Sequence, residues 1–225
     1  MGRPPRADEA NGIYHMLNRA NRRVPFFVKP EDYEAFERIL SAGLERSRIK
    51  LFAYCLLPNH WHLVVSPEVD GEMGRFGHWL GLTHTQRHHA HYHTTGEGHL
   101  YQGRFKSFPV QDDAHFLSVC RYVERNAYTA GLCESPDQWR FGSLWRWVHG
   151  KVREESLLSI WPIPRQEDWL DFVAAPLSDR EQNQMRRSIS RGVPFGDDDW
   201  VSATARRLGL ESTRRNQGRP RRFPK

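Results

Sequence analysis

Cysteine is scarce: three residues in 225, Cys55, Cys120 and Cys133, with no C-x-x-C spacing among them. An odd, scattered set excludes a disulfide framework and a thiolate zinc site, and leaves small core residues as the reading. Long apolar runs are missing as well. The longest, Leu51 to Leu57, has seven residues, against the ~18 to 20 that a membrane-crossing helix needs. No apolar stretch follows the basic residues Arg3 and Arg6, so no secretory signal is read and the cytoplasm is the expected location. There is no internal repeat. What the chain has is a 38% hydrophobic content, enough for one or two real cores.

An excess of one charge sign is absent from most of the chain. The formal net charge is +6, yet residues 1–200 carry 25 basic and 26 acidic side chains, while residues 201–225 carry eight and one. Basicity concentrated at one end is the footprint of a polyanion partner, because each cation placed on a phosphate releases a condensed counterion. A solvated, solubilising tail has the same composition, and composition does not separate the two.

The periodicity predicts a strand at Ile13 to Asn18 after the Asn11-Gly12 turn, and a helix from Pro30 to about Arg48 with Glu31 and Asp32 in its first turn. Leu51 to Leu57 and His60 to Val65 then form a hairpin around Pro58-Asn59. A second helix, Met73 to His93, a strand from Leu100 to Val110, and a third helix from Asp113 to Tyr128 follow. The order β-α-β-β-α-β is the ferredoxin-like split βαβ arrangement of the α+β class, an antiparallel sheet with helices on one face; the third helix is an addition to it. Residues 134–165, rich in Trp and Pro, read as an irregular wrapping segment and 166–192 as helical but polar. Asp197 to Asp199 cap a short helix from Trp200 to Leu208, closed by Gly209. The expected division is a main domain over 1–133, a wrapping and helical extension over 134–200, and a basic tail over 201–225.

Side chains alternate along a strand, so His60 and His62 project together while Trp61 and Leu63 point the other way. Two imidazoles from one short strand can share a metal. On a helix, residues four apart share a face, so Tyr122 and Asn126 present a phenol and an amide side by side. Nitrogen and oxygen donors without thiolate suit Mn²⁺ or Mg²⁺ better than structural zinc, and leave positions for a phosphate oxygen and water. Alone, His-x-His on a strand is more often a pair of satisfied sheet histidines.

Four blocks change that balance: Gly12-Ile-Tyr-His-Met-Leu-Asn-Arg19, Ala53-Tyr-Cys-Leu-Leu-Pro-Asn-His-Trp-His-Leu63, Tyr101-Gln-Gly-Arg-Phe-Lys-Ser107 and Arg121-Tyr-Val-Glu-Arg-Asn-Ala-Tyr-Thr-Ala-Gly-Leu132. Together and in this order they resemble the single-tyrosine HUH transposases, in the branch associated with repetitive extragenic palindromes. The resemblance implies that His60 and His62 are the metal-binding pair, Tyr122 the nucleophile and Asn126 the residue that completes the metal site. It also implies nicking and rejoining of single-stranded DNA near hairpins through a 5′-phosphotyrosine, with Mg²⁺ or Mn²⁺. Where the family pattern has Asn-Pro-Val, this chain has Asn126-Ala127-Tyr128, and without the proline the helix is free to run on.

Arg104, Lys106 and Arg121 flank the expected site and are candidates for phosphate contacts. In the tail, Gly218-Arg219-Pro220 followed by Arg221 and Arg222 has the extended, small-residue setting that lets an arginine enter a narrow minor groove. Seven of the twelve histidines fall between His78 and His99 and read as a polar helix face near DNA, while His15 on the first strand has two readings, a place near the site or a satisfied sheet residue, of which the second is favoured. Trp139, Trp145, Trp147 and Trp161 read mainly as core and wrapping residues. The other class of reading is a domesticated nucleic-acid-binding regulator that keeps the fold without using Tyr122. Monomer and homodimer are both open.

Overall fold

The computed structural model describes residues 7–150 and 157–215. Four strands, β1 (Ile13–Arg19), β2 (Ile49–Leu57), β3 (His60–Pro67) and β4 (Lys106–Val110), form one antiparallel sheet in the order β2-β3-β1-β4. This is the split βαβ arrangement, with β3 inserted between β1 and β2. Helix α1 (Pro30–Glu45) starts where Pro30 fixes the backbone and the Asp32 carboxylate accepts hydrogen bonds from the Val28 and Lys29 amides. Helix α2 (Glu72–Tyr92) joins it on the same face. There the side chains of Tyr14, Met16, Leu51, Tyr54, Trp61, Leu63 and Val65 pack against Phe36, Leu40, Met73, Phe76 and Leu80. Gly77 lets this layer close: a Cβ there would sit 2.3 Å from the Phe105 ring.

The alternating residues of the same strands face the other way, so the sheet has a second core. Ile13, Cys55, Val64 and Phe108 meet Phe116, Val119, Cys120 and Val123 of α3 (Ala114–Glu124). A β-bulge between Leu51 and Ala53 turns both Phe52 and Ala53 to this face. Beyond α3, Arg125 keeps right-handed helical angles and α4 (Asn126–Thr129) continues the rod, with the Ala130 amide bonded to the Asn126 carbonyl. The absence of proline after Asn126 has the expected effect.

The extension wraps the exposed edge of β2. Trp139 Nε1 donates to the Leu56 carbonyl at 2.9 Å and Trp161 Nε1 to the Phe52 carbonyl at 2.7 Å, and the Ser159 amide reaches the Leu51 carbonyl. Free carbonyls on an edge strand invite foreign strands, and these indoles cover them. Helix α5 (Ser143–His149) anchors the wrap. Residues 166–192 form two helices, α6 (Trp169–Ala174) and α7 (Asp179–Arg191), because Pro176 interrupts the run. The strand expected over 100–110 is confined to Lys106–Val110. Tyr101 keeps a single bridge to Ala20, and the chain then leaves the ladder to pack Phe105 on α2.

Helix α8 (Asp198–Arg207) is capped by Asp197, crosses residue 200, and ends at Gly209, whose φ of +65° suits glycine. Its Ala205 joins the first core, and Arg207 pairs with Glu9. A four-residue helix, α9 (Glu211–Arg214), follows. The tail residues Arg219, Arg221 and Arg222 lie outside the described residues. Cys55 and Cys120 are buried thiols and Cys133 is half-buried, all free. Among the described residues no helix is long and apolar enough to cross a membrane.

Candidate active site

Strand parity decides the site. Residues Ile13, His15, Leu17 and Arg19 of β1 share the α3 face with His60 and His62 of β3, and the register sets Leu17 opposite His62 and Arg19 opposite His60. The His60 and His62 rings lie 5.0 Å apart, and the His62 ring is 5.7 Å from that of Tyr122. Tyr122 is held on α3 with Asn126 one turn on, and the two side chains interact. The tetrad expected from the sequence is therefore brought together by β3 and the α3–α4 rod.

A third imidazole completes it. His15 is fully buried, sits 4.7 Å from the Phe108 ring, and its Nε2 lies 2.9 Å from His62 Nδ1. Of its two expected roles, the place beside the site is the one it takes. On the other histidine of the β3 pair, His60 Nδ1 lies 2.7 Å from Asn59 Oδ1. Three buried polar atoms in this cluster have no protein partner: His15 Nδ1, His62 Nε2 and Asn126 Nδ2. Leaving such an atom unmade costs ~1 to 3 kcal/mol, so a concentration of them marks a place where something else supplies the bond.

Electrostatics favour neutral ligands. Burial pushes the His60 imidazole down to about 4, helped by Arg19, and holds His62 well below its usual range, with His15, His60 and Arg19 adding to the effect. Burial alone takes His15 to about 3. All three are uncharged at neutral pH and need shed no proton to bind a cation. The Tyr122 phenol is pushed up by burial, against the opposing influence of Asn126, Arg19 and Arg186. Arg19 at the end of β1 and Arg186 on α7 thus act on the phenol in the sense opposite to burial.

The candidate cations divide on inspection. Lys106 opens β4 opposite Leu17 and stands exposed at the site face. Arg104 is exposed but lines a cavity of about 770 Å³ against α2, on the side of the sheet away from Tyr122. Arg121, expected at a phosphate, is instead turned into the protein. Its guanidinium is buried, donates to the Ala175 and Pro176 carbonyls at 2.7 and 2.9 Å, pairs with Glu181 and stacks on Phe172. One turn later Arg125 donates to the Val173 and Ala174 carbonyls. Both arginines tie the tyrosine helix to the C-terminal end of α6, where free carbonyls and the helix dipole welcome cations. Glu124, also buried, accepts from Ser143 Oγ and Trp169 Nε1, both at 2.7 Å, and so fixes the same helix from its other side.

The sequence reading passed over Arg22 and Arg23, which are exposed, have φ of +53° and +61°, and follow Arg19 beside His60. Left-handed backbone at a non-glycine residue costs about 1 to 3 kcal/mol and concentrates at functional sites. The histidine-rich α2 gives the opposite lesson. His84 is a buried residue among Phe26, Phe27 and Phe36, bonded to Tyr101. Among the described residues no three His, Cys, Asp or Glu side chains are grouped to hold a metal.

A split βαβ sheet that faces a histidine pair toward a tyrosine-bearing helix defines the single-tyrosine HUH class. The family described as "Transposase IS200 like" matches residues 9–126, and the chain belongs to it. The fold is similar to that of a REP-associated tyrosine transposase bound to a REP hairpin, with a TM-score of 0.55 and 17% identity over 71% of this chain and 98% of that one. A proposed transposase of Deinococcus radiodurans R1 gives a TM-score of 0.39 at 16% identity, over 59% of this chain and 96% of that one. No curated protein matches the sequence.

Proposed function

We propose that this transposase-family protein nicks single-stranded DNA beside a hairpin and rejoins strands through a 5′-phosphotyrosine on Tyr122. The observation that carries this reading is Tyr122 packed against His62, whose buried Nε2 has no protein partner. Two neutral imidazoles, His60 and His62, and the Asn126 amide suit a divalent ion, Mg²⁺ or Mn²⁺, with the remaining positions left to a phosphate oxygen and water. Bound there, the ion would polarise the scissile phosphate and lower the barrier to in-line attack.

The chain's own residues account for the rest. Tyr122 Oη forms the new bond to phosphorus, the bond to the 3′ oxygen breaks, and the freed oxygen takes up a proton as the phenol gives one up. Because an ester linkage is kept, a 3′-OH can later run the step backwards. Positive charge from Arg19 and Arg186 favours the phenolate that attacks. Arg22, Arg23 and Lys106 face the same end of the sheet and would hold neighbouring phosphates, with Arg219, Arg221 and Arg222 of the tail as a more distant anchor.

Labelled hairpin DNA incubated with Mn²⁺ or Mg²⁺ and separated under denaturing conditions tests this. A covalent adduct is expected. A free nick without adduct would mark a phosphodiesterase that uses water, and tight binding with neither product would mark a regulator that does not use the nucleophile.

A further inference from the structure

The two histidines expected to hold the ion each have a hydrogen-bonding neighbour at Nδ1, and the two neighbours differ. Asn59 occupies the β2–β3 turn. Its Nδ2 donates to the Arg23 carbonyl at 2.9 Å, which can only accept, so the atom facing His60 is Oδ1, also only an acceptor. The proton of neutral His60 must therefore sit on Nδ1, and Nε2 carries the lone pair. Asn59 is a hub in a second sense: its carbonyl accepts from the Ala20 amide at 2.8 Å, while Pro58 accepts from Phe26 and Phe27. The same residue that sets the His60 tautomer pins both ends of the loop bearing Arg22 and Arg23.

For His62 the partner is an imidazole, and two arrangements are open. With the shared proton on His15, His62 carries its own proton on Nε2 and has no lone pair to offer there. With the shared proton on His62 Nδ1, Nε2 is a free donor atom for a cation. Each arrangement leaves one N–H and one lone pair unmet at the two orphaned atoms, so hydrogen-bond count does not choose. The placement of charge does: Arg19 stands directly opposite His60 and diagonal to His62, four residues along β1 from His15, and a positive charge favours a lone pair over an N–H on the nearer ring. Phe108 against the His15 ring and its complete burial hold the pair in place.

We propose that Asn59 and His15 are positioning residues that preset His60 and His62 as Nε2 metal ligands, and that Asn59 couples this preset to the arginine loop after β1. The inference rests on the metal-site reading above. Partners of this kind fix the ring orientation and tautomer of a ligand, and losing one typically weakens metal binding about 10- to 100-fold.

The test is ¹⁵N NMR of the histidine rings in the metal-free protein at neutral pH, with Mn²⁺ binding measured by calorimetry. Both His60 and His62 should be protonated on Nδ1. His15→Leu should lower Mn²⁺ affinity about 10- to 100-fold and change the His62 ring signals, while His15→Gln, whose amide oxygen can accept the same proton, should restore most of it. Asn59→Asp keeps an acceptor for His60 but loses the donation to Arg23, so it should retain Mn²⁺ binding and weaken DNA binding; Asn59→Leu should weaken both. Nε2-protonated His62 in the wild-type protein, or wild-type Mn²⁺ affinity in folded His15→Leu, would overturn the proposal. Should a variant fail to fold, the wild-type tautomers still decide. An intact preset with no adduct on Tyr122 would support this inference and count against strand transfer alone.

Discussion

The two faces of strand β3 hold similar residues in opposite states of hydrogen bonding. Toward α2, Trp61 Nε1 donates to Tyr101 Oη at 3.1 Å, and Tyr101 Oη lies 2.6 Å from His84 Nδ1, a chain that leaves no buried polar atom of the three unpartnered. Toward α3, His62 and His15 make one bond to each other and each keeps an orphaned nitrogen. Both faces bury neutral imidazoles. What sets His15 and His62 apart from His84 is unmet hydrogen bonding, since burial and depressed basicity are common to all three; His88 Nδ1 on α2 is also unpartnered.

That contrast breaks most visibly at Trp61. Trp61→Ala removes a fully buried indole and should cost about 3 to 5 kcal/mol in urea unfolding, with Mn²⁺ binding retained by the fraction that stays folded. Tyr101→Phe strands Trp61 Nε1 and His84 Nδ1 and should cost about 1 to 3 kcal/mol. A cost near zero would show that this chain is no tighter than the site.

Acid treats the faces alike. His84 and His15 are held at about 3, His84 chiefly by burial with His88 adding to it and His15 by burial. Their stabilising contribution is complete above the ordinary value near 6.5 and is lost as pH falls toward 3, because the unfolded chain binds protons that the folded one refuses. Unfolding free energy should drop by roughly 1.4 kcal/mol per pH unit for each such histidine, and His84→Gln should remove one histidine's share of the slope. The double variant His15→Leu/His62→Leu has the smallest expected effect on stability. Replacing both partners of a partly met pair by apolar groups is close to neutral or stabilising, so its metal-free melting should match or exceed wild type while Mn²⁺ binding is lost. A large loss of stability would mean that the α3 face is as structural as the other.

The fold was legible because its cues are local. Helical periodicity in α1 and α3, the Pro58-Asn59 turn and the Asp197 cap each act within a few residues, and the order of elements then leaves few topologies. Strand and helix spacing put His60 with His62 and Tyr122 with Asn126 on common faces, but it took the four blocks that resemble the single-tyrosine HUH transposases to single these residues out. His15 was not singled out, because its meaning depends on the β1–β3 register, which places it diagonally from His62. Arg121 misled because its partners lie more than fifty residues on, at Ala175 and Pro176. The break between α6 and α7 did have a local signal, Pro176. Arg22 and Arg23 had none, since left-handed backbone at arginine is imposed by the loop's bonds to Pro58 and Asn59.

The central claim is that the α3 face of β3 serves a covalent step at Tyr122. Wild-type protein incubated with hairpin DNA and Mn²⁺, digested with protease and mapped by mass spectrometry, should yield a nucleotide-modified peptide with the added mass on Tyr122, absent without metal and absent in Tyr122→Phe. An adduct that persists in Tyr122→Phe, or maps to another residue, would contradict the account.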